Sequence, residues 1–504
     1  MEGEPAGGEE KIVRNGAIPL DEVIDIIDWG PYQLHLLCLI GVCTACDSME
    51  IGLIAFLQEC IKEDWHLDSS QEALLSSSIL IGQILGISSA SIADTVGRRP
   101  VIIVGLWFVI IFGFASSYAP DYISLIVLRT LAGYGIGVSQ CVSYDLCCEI
   151  LPRKYRKFIM FCDVVGVAAQ LYLIIALYFL LEAYGWRAIL FACAVPILFV
   201  GIASIWIFLE SPRWLLTRNR EEEARKIVQY IAEYNGKVRS DRVTYDLQNI
   251  NLKYEYNEED NHAGYTELLT PEQRPRTIHL WIVWCFAYFG FFAVVFSMIA
   301  LQRNKEKDTC SYDYQNVVIS GSSDIVLLLL TMYFVDMIGR AITQSSLYAL
   351  SSIFALAWSI VLDKNPTDII TMTILLMISK ATYVGGMEAM WLQTMELFPT
   401  WLRATGHTSC VIIGRIGAVG STYWVDSFIP LHPLAGSMVV AISLAVAAIG
   451  AFFLKETSGK SLDSDKDEEK SSTDQNTEAI GERMSLLESD DYDALGNRRE
   501  VDVG

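Results

Sequence analysis

A chain of 504 residues with a net charge of −22 is poorly suited to nucleic acid or an anionic lipid surface as its main partner. Hydrophobic residues make up 52% and charged residues only 19%, and the apolar ones gather in runs such as 101–114, 189–209 and 439–454, too many for one soluble core. Segments of roughly 20 apolar residues match a hydrocarbon layer ~30 Å thick, so an all-α polytopic membrane protein is predicted.

In chain order, residues 1–18 form a polar, Gly- and Glu-rich lead expected to be disordered, with no h-region of a cleavable signal. Residues 19–31 predict an amphipathic helix lying along the membrane surface. Leu20, Val23, Ile24 and Ile27 share one face, Asp21, Glu22, Asp25 and Asp28 the other. Six spans follow within a bundle over 32–209, near 35–57, 72–93, 100–119, 122–148, 158–181 and 188–209. A polar linker covers 210–278, with a helix over 221–234 stopped by Asn235-Gly236. A second bundle over 279–454 holds spans near 279–300, 315–335, 342–362, 368–391, 404–427 and 434–454. The acidic, Ser-rich tail, 455–504, is expected to be disordered. Lys and Arg concentrate in the linker and the loops on its side, which predicts both termini in the cytosol; Arg303, Lys305 and Lys307 are the exception. The twelve cysteines lack zinc-site spacing, and no metal or cofactor is expected. Only Cys60 and Cys310 fall in predicted outer loops. A bond between them would tie the two bundles together, so free thiols are expected.

The second half echoes the first. Asp94-Thr95-Val96-Gly97-Arg98-Arg99 returns 242 positions later as Asp336-Met337-Ile338-Gly339-Arg340-Ala341. Glu149-x-x-Pro152-x-x-x-Arg156 returns 247 positions on as Glu396-x-x-Pro399-x-x-x-Arg403, and Glu210 returns as Glu456 after 246. Three echoes at nearly one offset argue for an internal repeat.

Two six-helix halves with a long linker resemble the major facilitator superfamily. The Asp94–Arg99 turn is similar to its loop 2–3 signature, although Ala90 stands where a leading glycine is usual. Arg129-x-x-x-Gly133-x-Gly135 is similar to its fourth-helix signature, and Glu210-Ser211-Pro212-Arg213-Trp214-Leu215 to a motif of sugar porters and organic-ion carriers. Asp25-x-x-Asp28-Trp29-Gly30-Pro31-Tyr32-Gln33, Asp47-Ser48-Met49-Glu50 and Met395-Glu396-Leu397-Phe398-Pro399-Thr400 resemble the synaptic vesicle 2-related group. That resemblance implies a carrier fold with twelve transmembrane helices, usually monomeric, working by alternating access. It further implies a cytosolic gate of ion pairs built from Asp94, Gly97, Arg98, Arg99, Arg129, Glu149, Arg156, Glu210 and Arg213, with Asp336, Gly339, Arg340, Glu396, Arg403 and Glu456 as echoes. The second latch, with Ala341 in place of a second arginine, is expected to be the weaker.

A charge inside the bilayer costs at least ~2.5–3.5 kcal/mol unless paired or hydrated, so each one needs a reason. Asp47 and Glu50 share one face of the first span, a carboxylate pair suited to coupling protons or contacting a cation. Lys380 and Arg415 place cations in helices ten and eleven, and Arg can grip a carboxylate with two hydrogen bonds. Asp163, Asp324 and Glu388 are further intramembrane acids, with Glu388 a candidate internal partner of Lys380 or Arg415. Phe291, Phe292, Tyr383 and Trp391 are candidate walls for a flat ring. These residues point to a carrier of a small organic anion such as a nicotinate-like carboxylate, with proton symport as the coupling that Asp47 or Glu50 would serve. An organic cation carrier and a vesicle-resident binding or trafficking protein are the alternatives. No nucleotide loop or catalytic constellation is present in the sequence, so gradients must supply the energy and an enzyme is not expected. In the tail, Glu482-x-x-x-Leu486-Leu487 is similar to an acidic dileucine signal read by clathrin adaptors. It predicts an intracellular vesicle or endolysosomal membrane, with the plasma membrane as the other option.

Overall fold

The computed structural model describes residues 18–236, 252–253, 264–303, 310–398 and 402–457. The side chains of Arg153, Arg156, Lys157, Met160, Asp336 and Ala404 lie outside that description, as does the tail motif at Glu482, Leu486 and Leu487.

The described residues are nearly all helical. In the first half they form α1 (Leu20–Ile27), α2 (Pro31–Trp65), α3 (Ser69–Ser89), α4 (Ile92–Val96), α5 (Arg98–Ser117) and α6 (Tyr122–Ile150). Then come α7 (Phe161–Ala176), continued through a π turn into α8 (Glu182–Tyr184), and α9 (Trp186–Ile207). The linker holds α10 (Pro212–Thr217) and α11 (Glu221–Tyr234). The second half contains α12 (Arg274–Leu301), α13 (Tyr314–Ile338), α14 (Arg340–Lys364), α15 (Ile369–Leu397), α16 (Arg403–Tyr423) and α17 (Pro433–Phe452).

Eleven of these helical segments are long and apolar enough to cross a membrane, and the protein is a multi-pass membrane protein. The exception among the twelve expected spans is α16, which carries Arg403, His407 and Arg415 among several Ser and Thr residues. Four helices that start at the face opposite the linker are capped by aspartates. Asp68, Asp121, Asp313 and Asp368 accept the backbone N–H of Gln71, Ser124, Asn316 and Thr371, satisfying one of the donors that a helix start leaves open. Small residues bring α3 and α6 together. A Cβ on Gly82 would lie 2.0 Å from the Thr130 carbonyl oxygen, and one on Gly133 2.2 Å from that of Ile79. Close backbone approach of this kind is how membrane helices pack without a hydrophobic driving force.

Helix α2 outruns its expected span, and its charged last turns project at the face opposite the linker. Cys60 therefore sits in a helix, not a loop, and it is bonded to Cys310 with the Cα atoms 5.5 Å apart. The expectation of free thiols fails because the last turns of α2 reach the segment that leads into α13. Helix α1 also departs from expectation. Its apolar face is buried, Asp21 pairs with Arg213, and Ile24 and Ile27 meet Val228 and Ile231 of α11. A protein surface thus covers the stripe that was expected to face lipid. Asn235, just past α11, fixes the entry to α2 by accepting from Tyr32 N at 3.0 Å and donating to Gln33 Oε1 at 2.9 Å.

Candidate binding cavity between the halves

The two halves enclose a cavity of about 130 Å³ lined by α2, α6 and α7 from one side and α12, α13, α15 and α16 from the other. Its polar floor is built around Asp47 of α2. Gln83 Nε2 donates to Asp47 Oδ1 at 2.5 Å, Gln140 Nε2 to Oδ2 at 3.2 Å, and Arg415 Nη2 to Oδ2 at 2.6 Å. Arg415 comes from the other half, so this buried pair bridges the seam; its guanidinium carbon also stands 5.7 Å from the Tyr288 ring centroid.

Glu50 faces elsewhere. It pairs with Arg129 at 2.5 Å, and Arg129 Nε donates to Ser116 Oγ at 3.1 Å. Asp47 and Glu50 therefore do not act as one carboxylate pair, since each has its own guanidinium. Arg129 is correspondingly removed from the expected gate, because it lies deep within α6, within two turns of the face opposite the linker.

The remaining cation, Lys380, holds Asp324 at 2.7 Å. Glu388 pairs with neither Lys380 nor Arg415, contrary to expectation. It lies with Asp163 of the first half on the cavity wall. Asp163 is half-buried against the cavity, and Tyr144 OH donates to it at 3.5 Å. Among the described residues, this carboxyl pair has no basic partner.

Phe56, Tyr144, Tyr288, Phe291, Phe292 and Trp391 supply the aromatic part of the wall, whereas Tyr383, a candidate wall residue in the sequence, does not line the cavity and packs on Phe291. Phe291 stacks on Tyr383 at 4.5 Å, and Tyr383 on Tyr348 at 5.3 Å. Trp391 meets Tyr144 across the seam at 5.4 Å and His407 at 4.7 Å. Gln140, Tyr144 and Tyr288 were not singled out from sequence. The available signal was the i, i+4 spacing of Gln140 and Tyr144 on one helix, which puts both polar groups on the same face.

The repeated turns are built alike. Gly97 and Gly339 take φ of 111° and 101°, where a side chain is strained, and a Cβ on either would lie 2.5 Å from a carboxylate oxygen of Glu210 or Glu456. Those carboxylates cap the helices that follow: Arg98 N donates to Glu210 at 2.8 Å and Arg340 N to Glu456 at 2.8 Å. Arg98 reaches Asp94 at 3.0 Å and Glu149 at 3.2 Å, while Arg340 reaches Glu396 at 3.2 Å. Arg99 adds a bond to the Ile205 carbonyl at 2.7 Å, which Ala341 cannot copy. Each of these contacts ties helices within one half. The structure describes a brace for each bundle here, and these pairs do not themselves join the halves. Arg213 braces α1 instead, through Asp21. Arg403 opens α16 at the linker face.

Comparison with known proteins agrees with this architecture. Residues 38–466 match the model of the family described as sugar (and other) transporter. The chain is 27% identical over 466 residues to the synaptic vesicle 2-related protein of Xenopus laevis, covering 88% of this chain and 82% of that one. It is 25% identical over 446 residues to organic cation/carnitine transporter 7 of Arabidopsis thaliana, covering 80% and 87%. The xylose transporter XylE of E. coli, in a partially occluded inward-open conformation, superposes with a TM-score of 0.67 at 17% identity, over 85% of this chain and 99% of that one. The chain belongs to the sugar (and other) transporter family, within the transporters of the major facilitator superfamily.

Proposed function

We propose that the chain is a secondary carrier that exchanges a small organic cation for protons by alternating access to the central cavity. One observation carries this reading: the Asp163–Glu388 pair. Among the described residues, the two basic residues that line the cavity, Lys380 and Arg415, are each matched by a carboxylate within 2.7 Å. Two carboxyls side by side do not readily both ionise, so one keeps a proton, which leaves one negative charge with no basic partner among the described residues. A cation entering the cavity would replace that proton, and the faces of Phe291 and Trp391 suit an ammonium group. An organic anion, the reading that Arg415 and Lys380 favoured in the sequence, would first have to displace Asp47 or Asp324. The name of the Arabidopsis relative, an organic cation/carnitine transporter, favours the same substrate class.

The vesicle-related names of several relatives support an intracellular vesicle membrane, and the Lys and Arg distribution supports cytosolic termini. The dileucine motif, with a clathrin adaptor as its reader, belongs to the same proposal. The test uses proteoliposomes with an acidic interior. Labelled tetraethylammonium, a quaternary amine that cannot cross the bilayer by losing a proton, should accumulate against its gradient and nicotinate should not, and Glu388→Gln should abolish the dependence on the pH gradient. Accumulation of nicotinate without the amine would refute the substrate class.

A further inference from the structure

The Cys60–Cys310 bond crosses the seam between the halves at the face opposite the linker. Cys60 stands in the last turns of α2, and Cys310 in the segment that leads into α13. The contacts around it cross the same seam. Arg303, just past α12, pairs with Glu59 and Glu63, which flank Cys60 along α2. Tyr312 OH donates to the Phe56 carbonyl, and the two rings meet edge to face at 5.1 Å. Phe56 and Gln302 line the central cavity, so the seam closes that cavity toward this face. Opening there requires residues 56–63 to part from Gln302, Arg303, Cys310 and Tyr312.

The contacts at the seam differ in kind. Half-exposed ion pairs and hydrogen bonds are individually weak and break within the thermal range. A covalent bond does not. With the cysteines oxidised, two backbones from opposite halves are held together at the point that must widen.

The bond is also reachable. Both cysteines line a second cavity of about 530 Å³ at this face, together with Glu63, Asp64, Glu182 and Arg187. Cys60 is buried, while Cys310 is half-buried, which makes Cys310 the side from which a reductant approaches. We propose that Cys60–Cys310 is a thiol–disulfide exchange site that locks this face of the carrier shut when oxidised, and that a dithiol reductant unlocks it. A thiolate of the dithiol attacks Cys310 Sγ, forming a mixed disulfide and expelling Cys60 as a thiolate, which takes a proton. The second thiol of the reductant then displaces Cys310 and closes a cyclic disulfide. The dithiol gives up two electrons, and the cysteine pair ends as two thiols.

The experiment needs no knowledge of the substrate. Alkylation of the denatured, unreduced protein should tag the ten free cysteines and leave Cys60 and Cys310 untouched. Fluorescent non-canonical amino acids at Tyr118 and Lys364, one exposed site per half at this face, report its opening by energy transfer. In proteoliposomes the oxidised protein should show the short distance only. Dithiothreitol should add a longer-distance population, and Cys60→Ser should show both without reductant. Arg303→Ala in the oxidised protein should stay short, since the covalent tie remains. Tagging of all twelve cysteines before reduction, a long-distance population in the oxidised protein, or an unchanged distribution after dithiothreitol would each overturn the proposal. Wild-type protein with and without reductant decides the matter even if the serine variant fails to fold.

Discussion

Two buried ion pairs of similar geometry should give opposite readouts when broken, because one crosses the seam and the other does not. Arg415→Met removes the cation from Asp47, and Arg129→Met removes it from Glu50. At 2.6 Å and an effective dielectric of roughly 20, the Arg415–Asp47 attraction is worth about 6 kcal/mol before desolvation is subtracted. Breaking a buried pair typically costs ~3–5 kcal/mol net, since one charge is left behind. Asp47 keeps two amide donors, Gln83 and Gln140, so its loss belongs at the lower end, about 3 kcal/mol. Both of those donors are in the first half, so the loss falls on the arrangement that brings the halves together, shifting its population by roughly a hundredfold. Glu50 and Arg129 share one half, so Arg129→Met destabilises the bundle itself, lowering its melting temperature on the order of 10 °C. The assay pairs thermal unfolding in detergent with energy transfer between labels at Tyr118 and Lys364, under dithiothreitol. Arg415→Met should lengthen the distance with little change in melting; Arg129→Met should do the reverse. If both variants melt early and neither changes the distance, the assignment of Asp47–Arg415 as the pair that joins the halves is wrong.

Two further variants test the local structure. Gly97→Ala and Gly339→Ala should each destabilise the protein by ~1–3 kcal/mol through backbone strain, visible as earlier melting. The effect should be larger at Gly97, where Arg99 also loses its register with Ile205. Asp121→Ala addresses pH. Accepting the Ser124 N–H holds the Asp121 carboxyl below its ordinary value. The contribution of this cap is therefore present above the unfolded value of about 3.9 and is lost as pH falls through the lower folded value. The variant should melt earlier at pH 7 and lose that part of the acid dependence. Equal melting of the two proteins at pH 7 would exclude a capping role.

The repeat could be read from sequence because it is written in short motifs at a fixed offset, and Gly97 and Gly339 keep one backbone shape in both copies. Span number was legible for the same kind of reason, as apolar runs have a length set by the bilayer. Partners of the buried charges were not legible. Lys380 and Glu388 look close in sequence, yet eight residues along a helix are about 12 Å, too far for their heads to meet directly. Their true partners, Asp324 and Asp163, come from other helices at distances that only packing sets. Asp47 and Glu50 do share a helix face, but α6 and α16 supply a separate guanidinium to each. The Cys60–Cys310 bond was not expected because it ties the two halves together, and the reach of α2 past its apolar core is signalled only by good helix formers such as Glu59, Lys62 and Glu63.

The two faces of the seam are therefore held by unequal means. Among the described residues, the contacts between the halves at the linker face include Cys148 Sγ and Met395 Sδ at 3.8 Å and the Tyr144–Trp391 ring pair. A ring pair of this kind is worth about 0.5–1.5 kcal/mol beyond its buried area. The opposite face adds a covalent bond to its ion pairs. On the proposed redox reading, an oxidised carrier would reach its cavity from the linker side and return, without ever releasing cargo across the membrane. Ligand binding from the linker side would then survive oxidation while net transport would not. That separation of binding from transport distinguishes a locked carrier from a misfolded one, which would lose both.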